Sequence, residues 1–435
     1  MSFYHSVTLD IKKCRGCTNC IKGCPTEAIR VRGGKAFIME EKCIDCGECI
    51  RICPNQAKFA VTDGLEKLKS YKFTVALPAP SFYAQFREGT SREVVNAALK
   101  ALGFDEVYEV PLAAEEVTAA IREYLKRNRD IRPLISSSCP AVVRLIKVRF
   151  PGLIKNIVPV KAPVEIAAKR AKEIIRSVYG ITSHDIGAFF ISPCPAKVTS
   201  VKQPLGTSRS YVDGVLSMSK TYAEVIKNIG SGDYNSIFKK SCGVGIGWGY
   251  SGGENAAIGT GNRLSVDGIH DCIEVLEEIE LGKLCDIDYL ELQACRGGCV
   301  GGALTVENRF IASVRLKKLA ERLGIKSNVH ETSIEKDFKK GYYFLEEEIK
   351  PTPSKLDDDM ATAIKKLEML EKTLKELPGL DCGSCGSPNC RALAEDIVQR
   401  RANETDCVFK LREKVRQLVA EVLDLSQKLP PTMEG

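Results

Sequence analysis

Apolar runs and amphipathic stretches alternate through the middle of the chain. Strand-like runs occur in RPLIS, GAFFIS and DIDYLELQ, and amphipathic helices are predicted over 91–102 and 163–178. This alternation predicts an α/β domain, in which ligands gather just beyond the carboxyl ends of the strands. No apolar run is long enough to cross a bilayer, so we expect no membrane-spanning role.

Helical periodicity returns near the C-terminus, over 356–377 and 404–429. The second stretch has apolar residues at spacings of four and three, which is typical of a coiled-coil seam: Leu411, Val415, Leu418, Val422, Leu425 and Leu429. Two interpretations stay open, because such a seam packs either within its own domain or between two copies as a homodimer. The segment EEEIKPTPSKLDDD, rich in proline and charge, is typical of a linker.

Composition narrows the class of protein. The 435 residues include 19 cysteines but only four histidines, so thiolate sulfur is the metal ligand on offer. No apolar signal core precedes the first cysteine, which indicates a reducing, cytoplasmic location and a use of cysteine other than disulfides. The net charge of +7 is modest and basic residues alternate with acidic ones, so nucleic-acid binding is not expected.

The first eight cysteines form an internal repeat in which each copy ends in Cys-Pro. The copies are Cys14, Cys17, Cys20 and Cys24, then Cys43, Cys46, Cys49 and Cys53. This spacing is the bacterial two-cluster ferredoxin run, in which the fourth cysteine of each copy serves the other cluster. We therefore assign Cys14, Cys17, Cys20 and Cys53 to one four-iron cluster. Cys43, Cys46, Cys49 and Cys24 belong to the second, and zinc is the less favoured alternative.

Two further groups of four cysteines differ in how specifically they indicate one kind of metal site. Cys382, Cys385, Cys390 and Cys407 suit either an additional 4Fe-4S cluster or structural zinc, and the company of other clusters favours iron. Cys139, Cys194, Cys295 and Cys299 each follow one of the predicted strands, so they can converge although they are far apart in sequence.

Three segments of the middle region resemble the catalytic domain of the FeFe hydrogenases. That family's signatures read approximately TSCCP, MPCxxK and MACxxGCxxGG, and this chain offers SSSCP, SPCPAK and QACRGGCVGG in the same order. The resemblance implies an α+β multidomain protein with three parts. They are a two-cluster ferredoxin domain over 1–70, an α/β H-cluster domain with two lobes over 71–350, and a helical C-terminal cluster domain over 351–435.

The resemblance also implies a cofactor and its surroundings. Cys139, Cys194, Cys295 and Cys299 would hold the four-iron part of the H-cluster, with Cys299 also bridging to a di-iron unit that carries carbon monoxide, cyanide and azadithiolate. Lys197 matches the family lysine that donates a hydrogen bond to a cyanide. Pro80 and Ser81 match residues that line the other side. The di-iron unit implies dedicated maturation proteins as partners.

The chain departs from the family at the positions that handle protons. Ser138 stands where catalytic members have a proton-shuttling cysteine, and an alkoxide is not accessible at neutral pH. Ala120 and Ile121 replace an acidic pair, and Ser200 replaces another glutamate. Ser192 and Gln293 stand where catalytic members carry methionines near the di-iron site, so hydrogen-bonding groups replace soft, apolar ones.

These losses resemble the sensory FeFe hydrogenases. The chain is therefore expected to bind H2, to oxidise it slowly and reversibly, and to pass electrons to a redox partner such as ferredoxin or to a signalling protein. One alternative is a metabolic hydrogenase with another proton route, through Glu254, Cys242 or other ionisable residues. A second alternative is an iron–sulfur electron relay without the di-iron unit.

Overall fold

The computed structural model of the protein describes residues 4–232, 234–327, 329, 331–352 and 356–428. The chain divides into two compact units, each assembled from separate stretches of sequence. Unit 1 comprises Met1–Thr8, Ile44–Arg51 and Phe59–Pro353, and unit 2 comprises Leu9–Cys43, Ile52–Lys58 and Ser354–Gly435. The cysteine repeat thus contributes to both units, and the three domain boundaries expected from the sequence stay a prediction.

Most strands belong to unit 1, and β1 and β4 cross its boundary. The strands are β1 Val7–Leu9, β2 Ile29–Arg32, β3 Lys35–Ile38, β4 Lys58–Ala60, β5 Phe73–Pro78, β6 Glu106–Val107, β7 Leu134–Ile135, β8 Ile186–Ser192, β9 Gly214–Ser217, β10 Arg263–Asp267 and β11 Tyr289–Gln293.

The helices of unit 1 are α2 Glu48–Arg51, α3 Pro80–Tyr83, α4 Arg92–Ala101, α5 Val110–Arg127, α6 Pro140–Arg149, α7 Pro163–Tyr179, α8 Pro195–Lys202, α9 Met218–Lys227, α10 Gly243–Gly247, α11 Gly253–Ile258, α12 Ile269–Glu280, α13 Arg309–Leu323 and α14 Glu331–Lys339. Those of unit 2 are α1 Asn19–Lys22, α15 Met360–Glu376, α16 Cys390–Val398 and α17 Val408–Gln427. Among the described residues, no helix has both the length and the apolar character that a membrane span requires.

Two parallel sheets form the framework of unit 1. The first has the strand order β6-β5-β8-β9, and β5 pairs with β8 from Phe73↔Ile186 to Pro78↔Ile191. The second has the order β10-β11-β7. Parallel neighbours need crossover connections, which α4, α8 and α12 supply between successive strands. Strand β8 is buried along its whole length, which explains why GAFFIS is a continuous apolar run.

Unit 2 joins the C-terminal cysteine segment to the β2-β3 hairpin. The Arg30 guanidinium lies 2.6 Å from the Asp396 carboxylate, and these side chains are 1% and 2% exposed. Arg32 donates to the same carboxylate at 3.0 Å, and the Val31 N–H donates to the carbonyl of Gly386 at 2.8 Å. Because a buried charge that loses its partner is strongly unfavourable, these ion pairs fix the segment in place.

Helix α17 carries the predicted seam on an uncovered surface. Leu411, Val415, Leu418 and Val422 are between 45% and 64% exposed, and Leu425 is 64% exposed. Leu429 lies outside the described residues. Within the described chain the seam is therefore not buried in its own domain, which leaves the homodimer interpretation as a proposal.

Candidate active site

Strands from both parallel sheets of unit 1 end at one cavity of about 810 Å³. Pro80 follows β5, Cys194 follows β8, Cys139 follows β7 and Cys295 follows β11. Nine residues singled out from the sequence line this cavity: Pro80, Ser138, Cys139, Cys194, Lys197, Glu254, Gln293, Cys295 and Cys299. The topology thus brings together residues that are up to 219 positions apart, from Pro80 to Cys299.

The four cavity cysteines sit in places that suit metal ligation. Cys139 and Cys194 are the N-cap residues of α6 and α8, each followed by a proline at the first helical position. Burial, with the neighbouring Cys295 thiol, raises the pKa of Cys194 to about 12, and burial also raises the pKa of Cys295 and Cys299. A bound metal deprotonates its thiol ligands and supplies the positive charge that such thiolates require.

Neither the cavity cysteines nor the C-terminal cysteines include three thiols within 4.8 Å of one another among the described residues. The choice of iron over zinc for the C-terminal set stays a prediction.

Two polar side-chain atoms are buried near the cavity. Among the described residues, Ser81 Oγ and Gln293 Oε1 are buried without a hydrogen bond. Gln293 is on the cavity wall, and Ser81 directly follows the wall residue Pro80. Because such orphaned groups are costly unless something pairs with them, they fit a cofactor with polar ligands.

Two further predicted residues, Lys197 and Ser192, form hydrogen bonds to the segments that carry the cavity cysteines. The Lys197 ammonium donates to the carbonyl of Ser138 at 3.0 Å, so it reaches across from α8 to the loop before α6. The Ser192 hydroxyl donates to the carbonyl of Cys194 at 2.9 Å and accepts from the Cys194 N–H at 3.3 Å. Ser192 therefore stabilises the backbone turn at Cys194 but does not itself line the cavity.

A buried carboxyl also lines the cavity. Glu254, on α11, is 1% exposed, and its Oε1 accepts from the hydroxyls of Ser136 at 2.8 Å and Tyr289 at 2.6 Å. Ser136 Oγ in turn accepts from the Ser138 N–H at 3.2 Å. A continuous hydrogen-bonded path thus joins Glu254 to the loop that carries Ser138. Sequence alone offered Glu254 only as one of several candidates, and Ser136 and Tyr289 gave no signal.

A second carboxyl stands behind Glu254. Glu291, on β11, is fully buried and accepts from the N–H groups of Gly252 and Asn255, each at 2.9 Å. Burial also raises the pKa of Glu291. Ala120 and Ile121, which stand in place of an acidic pair, lie within the apolar core of unit 1 at 0% and 1% exposure.

Glu254 is expected to titrate far from the usual range of a glutamate. Burial, reinforced by the Glu291 carboxylate, raises its pKa to about 8, against about 4.3 for an ordinary glutamate. We therefore expect an infrared C=O band of a protonated carboxyl that disappears as pH rises through about 8. Because the unfolded chain loses this proton first, folding stability should decline between about pH 4.3 and 8.

The Glu254→Gln variant should lack that band, and Glu277→Gln, at the surface of α12, should retain it. A band that disappears near pH 4.3, or one that survives in Glu254→Gln, would contradict this assignment.

Unit 2 contains a cavity lined by four of the eight ferredoxin-type cysteines. Cys14, Cys17, Cys20 and Cys53 line one cavity of about 340 Å³. Backbone N–H groups of Ala36 and Ala57 point at the sulfurs of Cys14 and Cys53, at 3.4 and 3.3 Å. Cys24 and Cys43 belong to unit 2, whereas Cys46 and Cys49 belong to unit 1, so the second ligand set stays a prediction.

Three family models match separate parts of the chain. Residues 72–260 and 250–303 match "Iron only hydrogenase large subunit, C-terminal domain". Together they span more than half of the 435 residues. The chain belongs to the iron-only hydrogenase family. Residues 6–54 match a "4Fe-4S dicluster domain", and residues 377–409 match a model described as "Putative Fe-S cluster". The chain therefore carries iron–sulfur domains on both sides of its hydrogenase domain, and the α+β multidomain prediction is confirmed.

Individual relatives agree with this assignment. Iron hydrogenase 1 of Clostridium pasteurianum is 25% identical over 390 residues, which cover 72% of this chain and 67% of that protein. The NADP-reducing hydrogenase subunit HndD of Solidesulfovibrio fructosivorans is 24% identical over 257 residues, 47% of this chain and 44% of that subunit. A variant of [FeFe]-hydrogenase HydA1 from Chlamydomonas reinhardtii shares the fold, with a TM-score of 0.51, 15% identity, and coverage of 67% of this chain and 98% of that one.

Proposed function

We propose that this iron-only hydrogenase is a hydrogen sensor that binds H2, oxidises it slowly and reversibly, and reports the resulting redox state through its iron–sulfur clusters. The observation that carries the proposal is the convergence of four cysteines on a cavity whose wall has Ser138 at the position of a proton-shuttling thiol. Ligation is retained in this arrangement, while rapid proton exchange is weakened.

The cavity residues divide into ligands and positioning groups. Cys139, Cys194, Cys295 and Cys299 would hold the H-cluster, with Cys299 shared by its two parts. When bound, that cofactor supplies the iron atoms at which H2 is cleaved or formed and the cube that exchanges electrons. Lys197, held across the cavity by the Ser138 carbonyl, offers a charged donor. The Gln293 amide offers a polar contact where catalytic members have an apolar methionine, and the Ser81 hydroxyl offers another that matches the family.

Proton delivery is where this chain differs in chemistry. A hydroxyl is a far weaker acid than a thiol, so Ser138 relays a proton only in concert with a second group. Glu254 is that group, because it holds a proton at neutral pH and lines the same cavity as Ser138. Its bond to Ser136, which accepts from the backbone N–H of Ser138, holds the loop that carries the Ser138 hydroxyl. Such a route allows only slow proton exchange, which is sufficient for a sensor because a sensor needs H2 bound at its site and not rapid turnover.

The rate of turnover separates a sensor from the metabolic alternative. We expect fully matured, purified protein to evolve H2 from reduced ferredoxin orders of magnitude more slowly than Iron hydrogenase 1 of Clostridium pasteurianum assayed side by side, with iron loading matched. Equal rates would contradict the sensing role and favour a metabolic hydrogenase whose protons pass through Glu254.

A relay without the di-iron unit is the third candidate. In that case the protein made together with the maturation proteins would contain no more iron than the protein made without them. We expect about two additional irons per chain in the matured protein, because the di-iron unit is inserted into the cavity after the cube.

Electrons would move among several clusters on the way to a redox or signalling partner. We assign one 4Fe-4S cluster to Cys14, Cys17, Cys20 and Cys53, a second to Cys43, Cys46, Cys49 and Cys24, and a third to Cys382, Cys385, Cys390 and Cys407. The domains would be 1–70, 71–350 and 351–435. The ion pairs of Arg30 and Arg32 with Asp396 support electron exchange within unit 2, because they tie the C-terminal cysteine segment to the hairpin that lies between Cys24 and Cys43.

Helix α17 is the proposed contact between two copies. Its apolar seam is exposed, and Lys414 and Glu421 flank it one heptad apart. In an antiparallel pair centred beside Leu418, the lysine of each copy would face the glutamate of the other, so the flanking charges are complementary. Sedimentation should show a dimer that Leu418→Glu converts to a monomer, whereas Lys410→Gln stays dimeric. A monomeric parent protein would contradict this contact.

A further inference from the structure

A short segment of the cysteine repeat lies in the same compact unit as the hydrogenase cavity. Residues 44–51 belong to unit 1, and Ile44, at 2% exposure, is part of the same apolar core as Ile135, Cys194 and Leu292. Gly47, between Cys46 and Cys49, has a φ of +78°, and a Cβ there would stand 2.8 Å from Ala303 and 2.9 Å from Pro195. The Cys46–Cys49 turn is therefore pressed against the loops that follow Cys194 and Cys299.

Arg51 ends this segment and reaches a cavity cysteine. Its Nη2 donates to Cys295 Sγ at 2.9 Å and to the carbonyl of Gly301 at 2.9 Å. Its Nη1 donates to Glu48 at 2.6 Å, which fixes the plane of the guanidinium. Cys295 is 8% exposed, so the contact lies where little water screens the charge.

The internal repeat provides a comparison within the same chain. The first copy reads Cys-Ile-Lys-Gly-Cys-Pro and the second reads Cys-Ile-Arg-Ile-Cys-Pro, so Lys22 is the counterpart of Arg51. Both residues are exposed, Lys22 at the end of α1 and Arg51 at the end of α2, but the Arg51 side chain is 24% exposed and bonds to Cys295. Both copies of the repeat thus have a basic residue at this position. Only the residue of the second copy, Arg51, contacts Cys295.

We propose that Arg51 is a positioning residue that orients the Cys295 thiolate and raises the reduction potential of the four-iron cluster held by Cys139, Cys194, Cys295 and Cys299. The inference rests on the proposed ligand set. Reduction adds one electron to the cluster and breaks no bond, so the reduced form carries one more negative charge. A fixed cation and an N–H donor at a ligand sulfur stabilise that charge. Guanidinium stays protonated throughout, so the effect does not depend on pH.

The contact also joins two parts of unit 1. Arg51 lies two residues after Cys49, and both belong to unit 1 together with Cys295. The Arg51 side chain therefore connects the Cys46–Cys49 turn to a cavity cysteine.

The test is a redox titration followed by electron paramagnetic resonance on the full chain made without the maturation proteins, with dithionite as reductant. The cavity component is first identified as the signal that disappears in Cys139→Ser. In Arg51→Gln we expect its midpoint potential to fall by at least the equivalent of a tenfold change in the one-electron equilibrium, about 59 mV. Arg51→Lys, which keeps a charge and a donor, should fall less, and Lys22→Gln should leave this component unchanged.

Each outcome decides a different point. If Arg51→Gln fails to load its clusters, Arg51→Lys carries the test, and an unchanged or higher potential in that variant overturns the role of Arg51. An unchanged potential in Arg51→Gln does the same. The absence of any signal that depends on Cys139 would contradict the proposed ligand set itself and not merely the role of Arg51.

Discussion

Replacing the cavity carboxyl by its amide in Glu254→Gln should lower H2 evolution and H2 oxidation by about 10²–10⁴-fold, the usual contribution of a positioned general acid or base. The amide is close in size to the acid and can still accept from Ser136 and Tyr289, so the cavity should keep its shape. It cannot release a proton, so the cavity wall loses its carboxyl proton donor and acceptor. The measurement is the rate of H2 turnover in both directions with matured protein of equal iron content.

Glu277→Gln is the matched control, because it makes the same chemical change at an exposed position. Its rates should equal those of the parent protein. A Glu254→Gln variant with unaltered rates would show that protons reach the cavity by another route. The next groups to test would then be those that line a neighbouring cavity of about 640 Å³, namely Lys197, Lys161 and Glu165.

Removing one cavity ligand in Cys139→Ser should abolish H2 turnover and lower the iron content of the protein made without maturation proteins by about four per chain. A serine hydroxyl is not deprotonated at neutral pH and is a poor ligand for a four-iron cube. The remaining clusters have separate ligands, so their paramagnetic signals should persist. Iron analysis together with those spectra measures both effects.

Cys285→Ser is the control for this experiment. Cys285 is exposed and its thiol donates to the carbonyl of Gly282 at 3.0 Å, away from the cavity lining. It should retain full iron and activity. Retention of all iron in Cys139→Ser would contradict the convergence of the four thiolates on one cluster.

The cysteine map could be predicted because iron–sulfur clusters impose local spacing on the sequence. The run from Cys14 to Cys20 predicts three ligands of one cube, and the structure places these cysteines with Cys53 around one cavity. The α/β organisation could also be predicted, because a strand buried on both faces, such as β8, is apolar along its length. Alternating strands and helices then determine at which edge the ligands emerge.

Other features arise from contacts that no local pattern records. Arg51 and Cys295 are separated by 244 residues, and nothing around either one indicates their contact. The path from Glu254 through Ser136 to Ser138 likewise joins a helix in the glycine-rich region to a distant loop. The membership of residues 44–51 in unit 1 depends on tertiary packing, which the regular spacing of the repeat does not reveal.

Infrared spectroscopy of the matured protein tests the central claim most directly, namely that four distant cysteines hold an organometallic cofactor in this cavity. Bands of metal-bound carbon monoxide and cyanide should be present, should change between H2 and an oxidant, and should be missing in Cys299→Ser. Matured protein that contains its full iron–sulfur complement but shows no such bands would contradict the claim.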